Sequence, residues 1–525
     1  MTQAATAVQA SGKAKEAKPG GSPALTLLAV ALGVIMVTLD GTVVAVANPS
    51  IGADLNASLA DLQWVTNGYL LALAVFLITA GKLGDRFGHK TIFLTGIAGF
   101  AVTSLAIGLS SGITMLIAMR VLQGVFGAML QPTALGLLRS AFPAEKLNMA
   151  LGIWGAAIAS STAAGPIVGG LLVEHYSWQS VFYINVPVGI IAFAIGLKVL
   201  RNQRGEKSGF DVPGILLLSG AMFAVVYGII KAPSWGWGDT RTIGLFAAAV
   251  ALFAAFVWWE NRAAEPLLPL GLFRSVSISV GTIMMLLVAF GMFGALFFLT
   301  FYMQSVHGLS PVDSGLRLLP MMLAMMVGSP IAGIMITKLG PRIPLIAGPL
   351  LAAGAFLGLT TLGLTGGFTD TLPWFVMLGL GLSPVFVGAT DIIVGNAPVS
   401  MAGVASGLQN SAMQVGGALG TAVLGALMTA RVGSSLSGHF TEVGLPAPGD
   451  AAVDQMKEIV AAGIAPVPPG TEPAVAELIS KASHLAFIDG MHLAFYVAAV
   501  VSLVAAGLGL FVKAGRKVEG AVVHV

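Results

Sequence analysis

The stretch "LDGTVVAVANPSI" (Leu39–Ile51) places a carboxylate, Asp40, inside an otherwise apolar run. A carboxyl group among aliphatic side chains is suited to taking up and releasing a proton, because burial disfavours the charged form and a nearby cation favours it. A second intramembrane charge stands in "RVLQGVFGA" (Arg120–Ala128), where Gln123 and Gln131 lie roughly on the helical face of Arg120. A guanidinium in an apolar span costs about 3 kcal/mol unless it meets an anion, water or backbone carbonyls. At about 1.5 Å per residue, Asp40 lies about 12 Å and Arg120 about 10 Å from the outer ends of their segments, so they share a depth. The expectation is one water-accessible cavity in which the pair exchanges partners as Asp40 gains or loses a proton. A change of about 2 pK units would supply about 2.7 kcal/mol to such a cycle. The alternative is a static ion pair or a helix-breaking hydrogen bond at Asp40–Gly41. A further acid, Asp391 in "GATDIIVGN", lies about 8 Å from the inner end of its segment. Proton or cation binding there and snorkelling to the inner surface both stay open.

Composition sets what must position these groups. Of 525 residues 56% are hydrophobic and 9% charged, against about 25% charged in soluble domains. This predicts an all-α integral membrane protein. Fourteen apolar segments of about 20 residues match a hydrocarbon core of about 30 Å, the first at 24–48 and the last at 489–513; the first is too long for a signal-peptide core. With the amino terminus inside, nineteen of the 26 basic residues fall on the cytoplasmic face and six on the outer face, which predicts both termini in the cytoplasm of a cell with an inner membrane. The absence of cysteine excludes disulfides and thiolate chemistry.

The segments divide into a cytoplasmic tail (1–23), a six-helix bundle (24–200), two inserted helices with linkers (201–275), a second six-helix bundle (276–513) and a tail (514–525). An outer loop at 432–488, with a helical-looking piece "DAAVDQMKEIVAAG" and a second after "PVPPGTEP", reads as a passive, partly disordered connector, with a cap or hairpin over an outer opening as the alternative. "GKLGDRFGHK" (Gly81–Lys90) has a degraded echo in "GIMITKLGPR" (Gly333–Arg342), so the two bundles share orientation, as in transporters whose site lies between parallel halves near mid-membrane.

These motifs resemble the fourteen-span drug:proton antiporters of the major facilitator superfamily, over nearly the whole chain. "LDGTVVAVANPSI" is similar to that group's first-span motif LDxTVVNVALP, with Ala45 and Asn48 in place of Asn and Leu, so hydrogen bonding around Asp40 is open to differ. The resemblance implies a cytoplasmic latch at Gly81, Gly84, Asp85, Arg86, Gly88 and Lys90; a purely topogenic basic turn is the plainer reading. It implies proton handling by Arg120. "AAGPIVGG" (Ala163–Gly170), with Gly152 upstream, resembles the antiporter motif through Gly165, Pro166, Gly169 and Gly170, a motif that marks exporters; small residues there allow close helix contact. "WQSVFYINVPVG" (Trp178–Gly189) resembles another group signature and is assigned a structural role. "NSAMQVGGALG" is similar to NxxRQxGGALG with Met413 replacing arginine.

On the same segment Asn410, Gln414, Gly417 and Thr421 share one helical face, expected with Gln123, Gln131 and Phe297 to line a substrate cavity. For the stripe Phe293, Phe297 and Phe301, lipid contact is the rival reading, and for "MMLAMMV" a loose packing surface is favoured. Asp211 and Glu260, in the inserted helices, are given no transport role. With no phosphate-binding GxxxxGK[ST] loop, no metal-ligand spacing and no catalytic set, an enzyme is not expected. The expected activity is proton-coupled export of hydrophobic or cationic amphipathic drugs or antibiotics. No cofactor other than the coupling proton, no metal and no nucleic acid is expected, and the implied state is a monomer in the bilayer. Proton symport of a metabolite and a non-transporting receptor or scaffold remain as alternatives.

Overall fold

The computed structural model describes residues 22–201, 211–397 and 401–512; the sequence-level assignments to Asp85 and Gly152 fall outside what is described. Every element among the described residues is helical, as a bilayer requires of segments that must satisfy all their backbone groups internally. The first bundle contains α1 (Pro23–Leu55), α2 (Leu59–Phe87), α3 (His89–Gly108), a span broken into α4 (Ile113–Ala128) and α5 (Leu130–Ala141), α6 (Ala144–His175), and a span divided into α7 (Ser180–Tyr183) and α8 (Asn185–Val199). The inserted pair is α9 (Val212–Trp235) and α10 (Thr240–Glu260). The second bundle contains α11 (Val276–Phe301), α12 (Pro311–Leu339), α13 (Arg342–Leu359), α14 (Phe368–Gly395), α15 (Ala402–Glu442) and α17 (Pro473–Gly509), with a short α16 (Asp450–Ala461) outside the spans. Among the described residues thirteen segments are long and apolar enough to cross a bilayer, and α6, bent by 44° around residue 163, makes the fourteenth. Pro166 accounts for the bend, since its ring displaces the carbonyl four residues earlier.

The internal echo is structural. Gly88 ends α2 at φ +99° and Gly340 ends α12 at φ +79°, each donating its N–H back to the preceding turn at 2.8 and 2.9 Å. Gly81 and Gly333, Arg86 and Lys338, and Lys90 and Arg342 occupy matching places around these turns. Because the left-handed region costs a residue with a Cβ roughly 1–2 kcal/mol, Gly88→Ala is expected to destabilise the protein by about that amount, read as a lower thermal midpoint in detergent.

The two bundles meet along α1 and α11, α2 and α15, and α6 and α12. Call the face where α1 begins and α17 ends the terminal face. Towards the opposite face, Gln63 Nε2 donates to the Thr421 carbonyl at 3.0 Å, Gln304 Nε2 to the Val46 carbonyl at 3.0 Å, and the Val312 amide to Glu174 Oε2 at 3.1 Å. Nearer mid-depth, Ser411 Oγ donates to the Ala74 carbonyl at 2.7 Å. The bundles are therefore sealed to each other on the opposite-face side.

Of the inserted pair, α9 packs against α2 and α15 while α10 packs on α9, with Trp64 of α2 against Phe223 and Tyr227 of α9 at 5.5 and 5.9 Å. The expected disordered connector at 432–488 is instead ordered and mainly helical. α15 continues to Glu442, α17 starts at Pro473, and α16 buries Val453, Val460 and Ala461 between them. Lys457 Nζ donates to the Pro233 carbonyl at 3.1 Å and so fastens this cap to α9. The helical-looking piece is α16, and the alternative reading as a cap holds because its apolar face has a partner.

Candidate functional site

Asp40 in α1 and Arg120 in α4 are each 1% exposed. Their equal depth brings Arg120 Nη1 to Asp40 Oδ2 at 2.5 Å. The guanidinium also donates through Nε to the Val65 carbonyl at 3.0 Å and through Nη1 to Gln123 Oε1 at 2.5 Å. It stacks over the Tyr69 ring at 4.1 Å and approaches that of Phe182 at 5.8 Å. The other carboxylate oxygen, Asp40 Oδ1, accepts from Gln123 Nε2 at 3.1 Å and Asn185 Nδ2 at 3.3 Å, and both amides also reach Ser104 Oγ, at 2.7 and 3.3 Å. Side chains from α2, α3, α4, α7 and α8 thus surround one buried ion pair between α1 and α4. Removing one partner of such a pair strands the other in low dielectric, so any change in Asp40 protonation must reorganise Arg120.

Three of these residues escaped the sequence reading. Asn185 lies in the signature read as structural, yet it donates to the key carboxylate; its signal was a lone amide in an apolar helix start. Tyr69 and Ser104 carried no signal separable from ordinary span composition. Gln123 belongs to the ion-pair network rather than to a cavity wall. Gln131, on α5 beyond the break, joins neither the network nor the cavity. Asn48 is buried with no hydrogen-bond partner among the described residues, so it contributes nothing to the bonding of Asp40.

Beside the network, between the bundles, lies a cavity of about 40 Å³. Its wall includes Gly41, Thr42, Tyr69 and Arg120 from the first bundle and Phe293, Phe297, Thr300, Met322 and Thr421 from the second. Arg120 forms part of the wall, whereas Asp40 sits behind it, screened from the cavity by the guanidinium. The phenylalanine stripe faces inward: Phe297 and Phe301 are buried and 5.2 Å apart, against the lipid reading. Of the polar face on α15, Thr421 lines the cavity and donates to Asn67 Oδ1 at 2.5 Å. Gly417 packs on Leu70 and Phe293, Asn410 bonds the Ser406 carbonyl of its own helix, and neither Asn410 nor Gln414 lines this cavity. That face is used mainly to pack α15 on α2 and α11.

The small residues of α6 serve two contacts. A Cβ on Gly165 or Gly169 would meet Thr42 or Val43 of α1, and one on Gly170 would meet the Pro311 carbonyl of α12 at 2.6 Å. Reciprocally, a Cβ on Gly315 of α12 would lie 2.3 Å from the Pro166 carbonyl. Pro166 itself reaches the cavity wall. The motif is where the bundles touch backbone to backbone.

At the terminal face, a Cβ on Gly84 would lie 2.6 Å from the His89 ring and 2.9 Å from Thr133, whereas Gly81 has room. Lys90 Nζ donates to the Leu197 carbonyl at 2.8 Å, a cation at the negative end of α8. Arg86 is exposed and lies over the Phe87 ring at 5.4 Å. Asp391 is exposed on α14 with no polar partner among the described residues and belongs to neither cluster.

Comparison with known proteins agrees with this geometry. The pattern described as Major Facilitator Superfamily matches residues 30–421. The chain is 57% identical over 504 residues, 95% of its length and 94% of the relative's, to the tetracenomycin C resistance and export protein of Streptomyces glaucescens. It is 37% identical to the puromycin resistance protein pur8 of Streptomyces alboniger, over 79% of this chain and 84% of that one. Its fold is similar to that of a bacterial homolog of the human lysosomal transporter Spinster in an inward-facing, unoccupied conformation, with a TM-score of 0.61 at 18% identity over 93% of this chain and 98% of that one. Two parallel six-helix bundles, a glycine-ended turn repeated in each, and sequence relatives along nearly the full chain together establish that this protein belongs to the Major Facilitator Superfamily.

Proposed function

We propose that the protein exports hydrophobic or cationic amphipathic small molecules, antibiotics among them, across the cytoplasmic membrane in exchange for protons. The observation that carries this reading is the buried Asp40–Arg120 pair directly behind the wall of an aromatic cavity between the bundles. Arg120 touches both compartments. A proton arriving on Asp40 frees the guanidinium, which changes the charge presented to cargo; a cargo that displaces Arg120 favours proton release. Cargo and proton thus compete through one side chain. The names of the relatives, resistance to and export of antibiotics, support the substrate class and the outward direction.

The excess of basic residues on the terminal face supports its assignment to the cytoplasm. The observed seal is then the outer one. A cavity of about 40 Å³ holds a water or two, while a drug-sized ligand needs about 300–1,000 Å³, so the bundles must part on the cytoplasmic side to admit cargo. Gly81, Gly84, Asp85, Arg86, Gly88 and Lys90 are proposed as the turn that governs that parting. No cofactor beyond the proton enters this scheme, and a monomer suffices for it. Asp391, apart from the ion pair, is proposed as an accessory proton or cation site near the cytoplasmic gate.

Everted vesicles acidified inside should accumulate tetracenomycin C or a cationic dye only while the pH gradient lasts, and a protonophore should release it. Accumulation driven by the same gradient into right-side-out cells would instead establish uptake by symport and overturn the export reading.

A further inference from the structure

The inserted helices carry a second buried acid cluster, remote from Asp40. Asp211 precedes α9 and Glu260 ends α10; they are 7% and 4% exposed. Asp211 Oδ1 accepts from the Gly214 amide at 2.9 Å and from Trp259 Nε1 at 2.6 Å, and its Oδ2 accepts from the Leu267 amide at 3.2 Å. Glu260 Oε2 accepts from the Leu268 amide at 3.0 Å. Both carboxyl groups converge on Gly214, where a Cβ would lie 2.3 Å from Asp211 Oδ2 and 2.7 Å from Glu260 Oε1.

Glu260 Oε1 is the informative atom. It is buried and has no hydrogen-bond partner among the described residues, and it shares the space over Gly214 with another carboxylate, which has no proton to give when ionised. The two carboxyl groups can share a hydrogen bond only if one of them carries a proton, and a buried acceptor left unsatisfied is costly. Asp211 already accepts from three donors; Glu260, with one, is the member to be protonated and to donate. Other charges are turned elsewhere: Arg262 stacks on Trp258 at 4.3 Å, and Lys82 of α2 donates its ammonium protons to the carbonyls of Pro266 and Glu265 at 2.7 and 3.3 Å. Glu265 lies on the same linker, where its backbone carbonyl accepts from Lys82.

The chain held by this pair is the linker from α10 to the second bundle. Leu267 is 1% exposed, packed with Val75 of α2, Ile215 and Leu218 of α9 and Phe256 of α10. The linker is therefore gripped from one side by two carboxyl groups and from the other by Lys82, one residue after Gly81.

We propose that Asp211 and Glu260 form a proton-binding site that clamps the linker at residues 261–275 and, through Lys82, ties protonation of the inserted helix pair to the α2–α3 turn. With one shared proton, Glu260 donates to Asp211 and the clamp is closed. When that proton leaves to solution, two carboxylates face each other over Gly214 and the linker loosens. The inserted pair then reads proton concentration at the terminal face, separately from the transport proton. Any effect on transport rests on the gate reading above; the proton site itself does not.

The test uses the full chain in lipid nanodiscs, without cargo. Infrared difference spectra across a pH titration should contain a protonated-carboxyl C=O band that survives Asp40→Asn and vanishes in Glu260→Gln. As that band disappears with rising pH, hydrogen exchange at residues 261–275, corrected for intrinsic rates, should accelerate about tenfold per pK unit of coupling. In Glu260→Gln, whose amide donates to Asp211 at every pH, exchange should stay slow throughout. If that variant does not fold, Asp211→Asn should likewise remove the pH step. Absence of the band from the wild type, or a pH step unchanged in either variant, overturns the proposal while leaving the vesicle assay of export untouched.

Discussion

Asp40→Asn is expected to abolish coupled export and cargo-induced proton release, leaving the residual flux of protonophore-treated vesicles. Asparagine keeps an oxygen for Gln123 and Asn185 but removes both the titratable group and the anion facing Arg120 at 2.5 Å. The guanidinium retains only neutral partners, the Val65 carbonyl, Gln123 Oε1 and the Tyr69 face. Stranding one member of a buried pair costs about 3–5 kcal/mol, so the variant should also melt earlier. Adding Arg120→Gln removes the stranded charge; the double variant is expected to regain much of the stability and none of the coupling. That split separates a structural ion pair from a proton carrier. Export and proton release that persist in Asp40→Asn would refute the mechanism.

Gly315→Ala should bias the protein away from the conformation described here. Its new Cβ would sit 2.3 Å from the Pro166 carbonyl, and neither atom belongs to a side chain that can rotate away. Overpacking of this kind costs about 1–3 kcal/mol, and each 1.4 kcal/mol changes a population ratio about tenfold. Because the clash lies between bundles, it is felt only while their α6–α12 faces touch. The seal near Glu174 and Val312 should therefore open more often, and export should fall with the population of the closed state. The chain has no cysteine, so spin labels can be placed at Tyr176 and Thr441, both exposed at the opposite face, without background. The distance distribution between them should broaden towards longer values. Gly333→Ala on the same helix, with open space around its position, should leave it unchanged; equal behaviour of the two variants would show that helix propensity, not the interface, is responsible.

These expectations depend unequally on sequence and structure. By itself the sequence determined the membrane class, the fourteen spans, the matched depths of Asp40 and Arg120, and the repeated turn. Each follows from a local quantity: length of an apolar run, rise per residue, or a glycine where the backbone must turn left-handed. It also placed the small residues of α6 on a helix-contact surface, because only small side chains let helix backbones approach closely.

Which neighbour each helix face meets was decided by the tertiary structure alone. In a soluble protein an apolar face marks the buried side. In a bilayer lipid and protein interior are both apolar, so hydrophobic periodicity does not tell them apart. Hence Phe297 and Phe301 were indistinguishable from lipid-facing residues until α11 was seen against α1 and α15. Asn410 and Gln414 shared a face with Thr421 without sharing its cavity. Asn185 could not be assigned to Asp40 from 145 positions away, nor could Glu260 be matched with Asp211 and a linker amide. Polar partnerships across spans are matters of helix rotation and packing, and no local pattern encodes them.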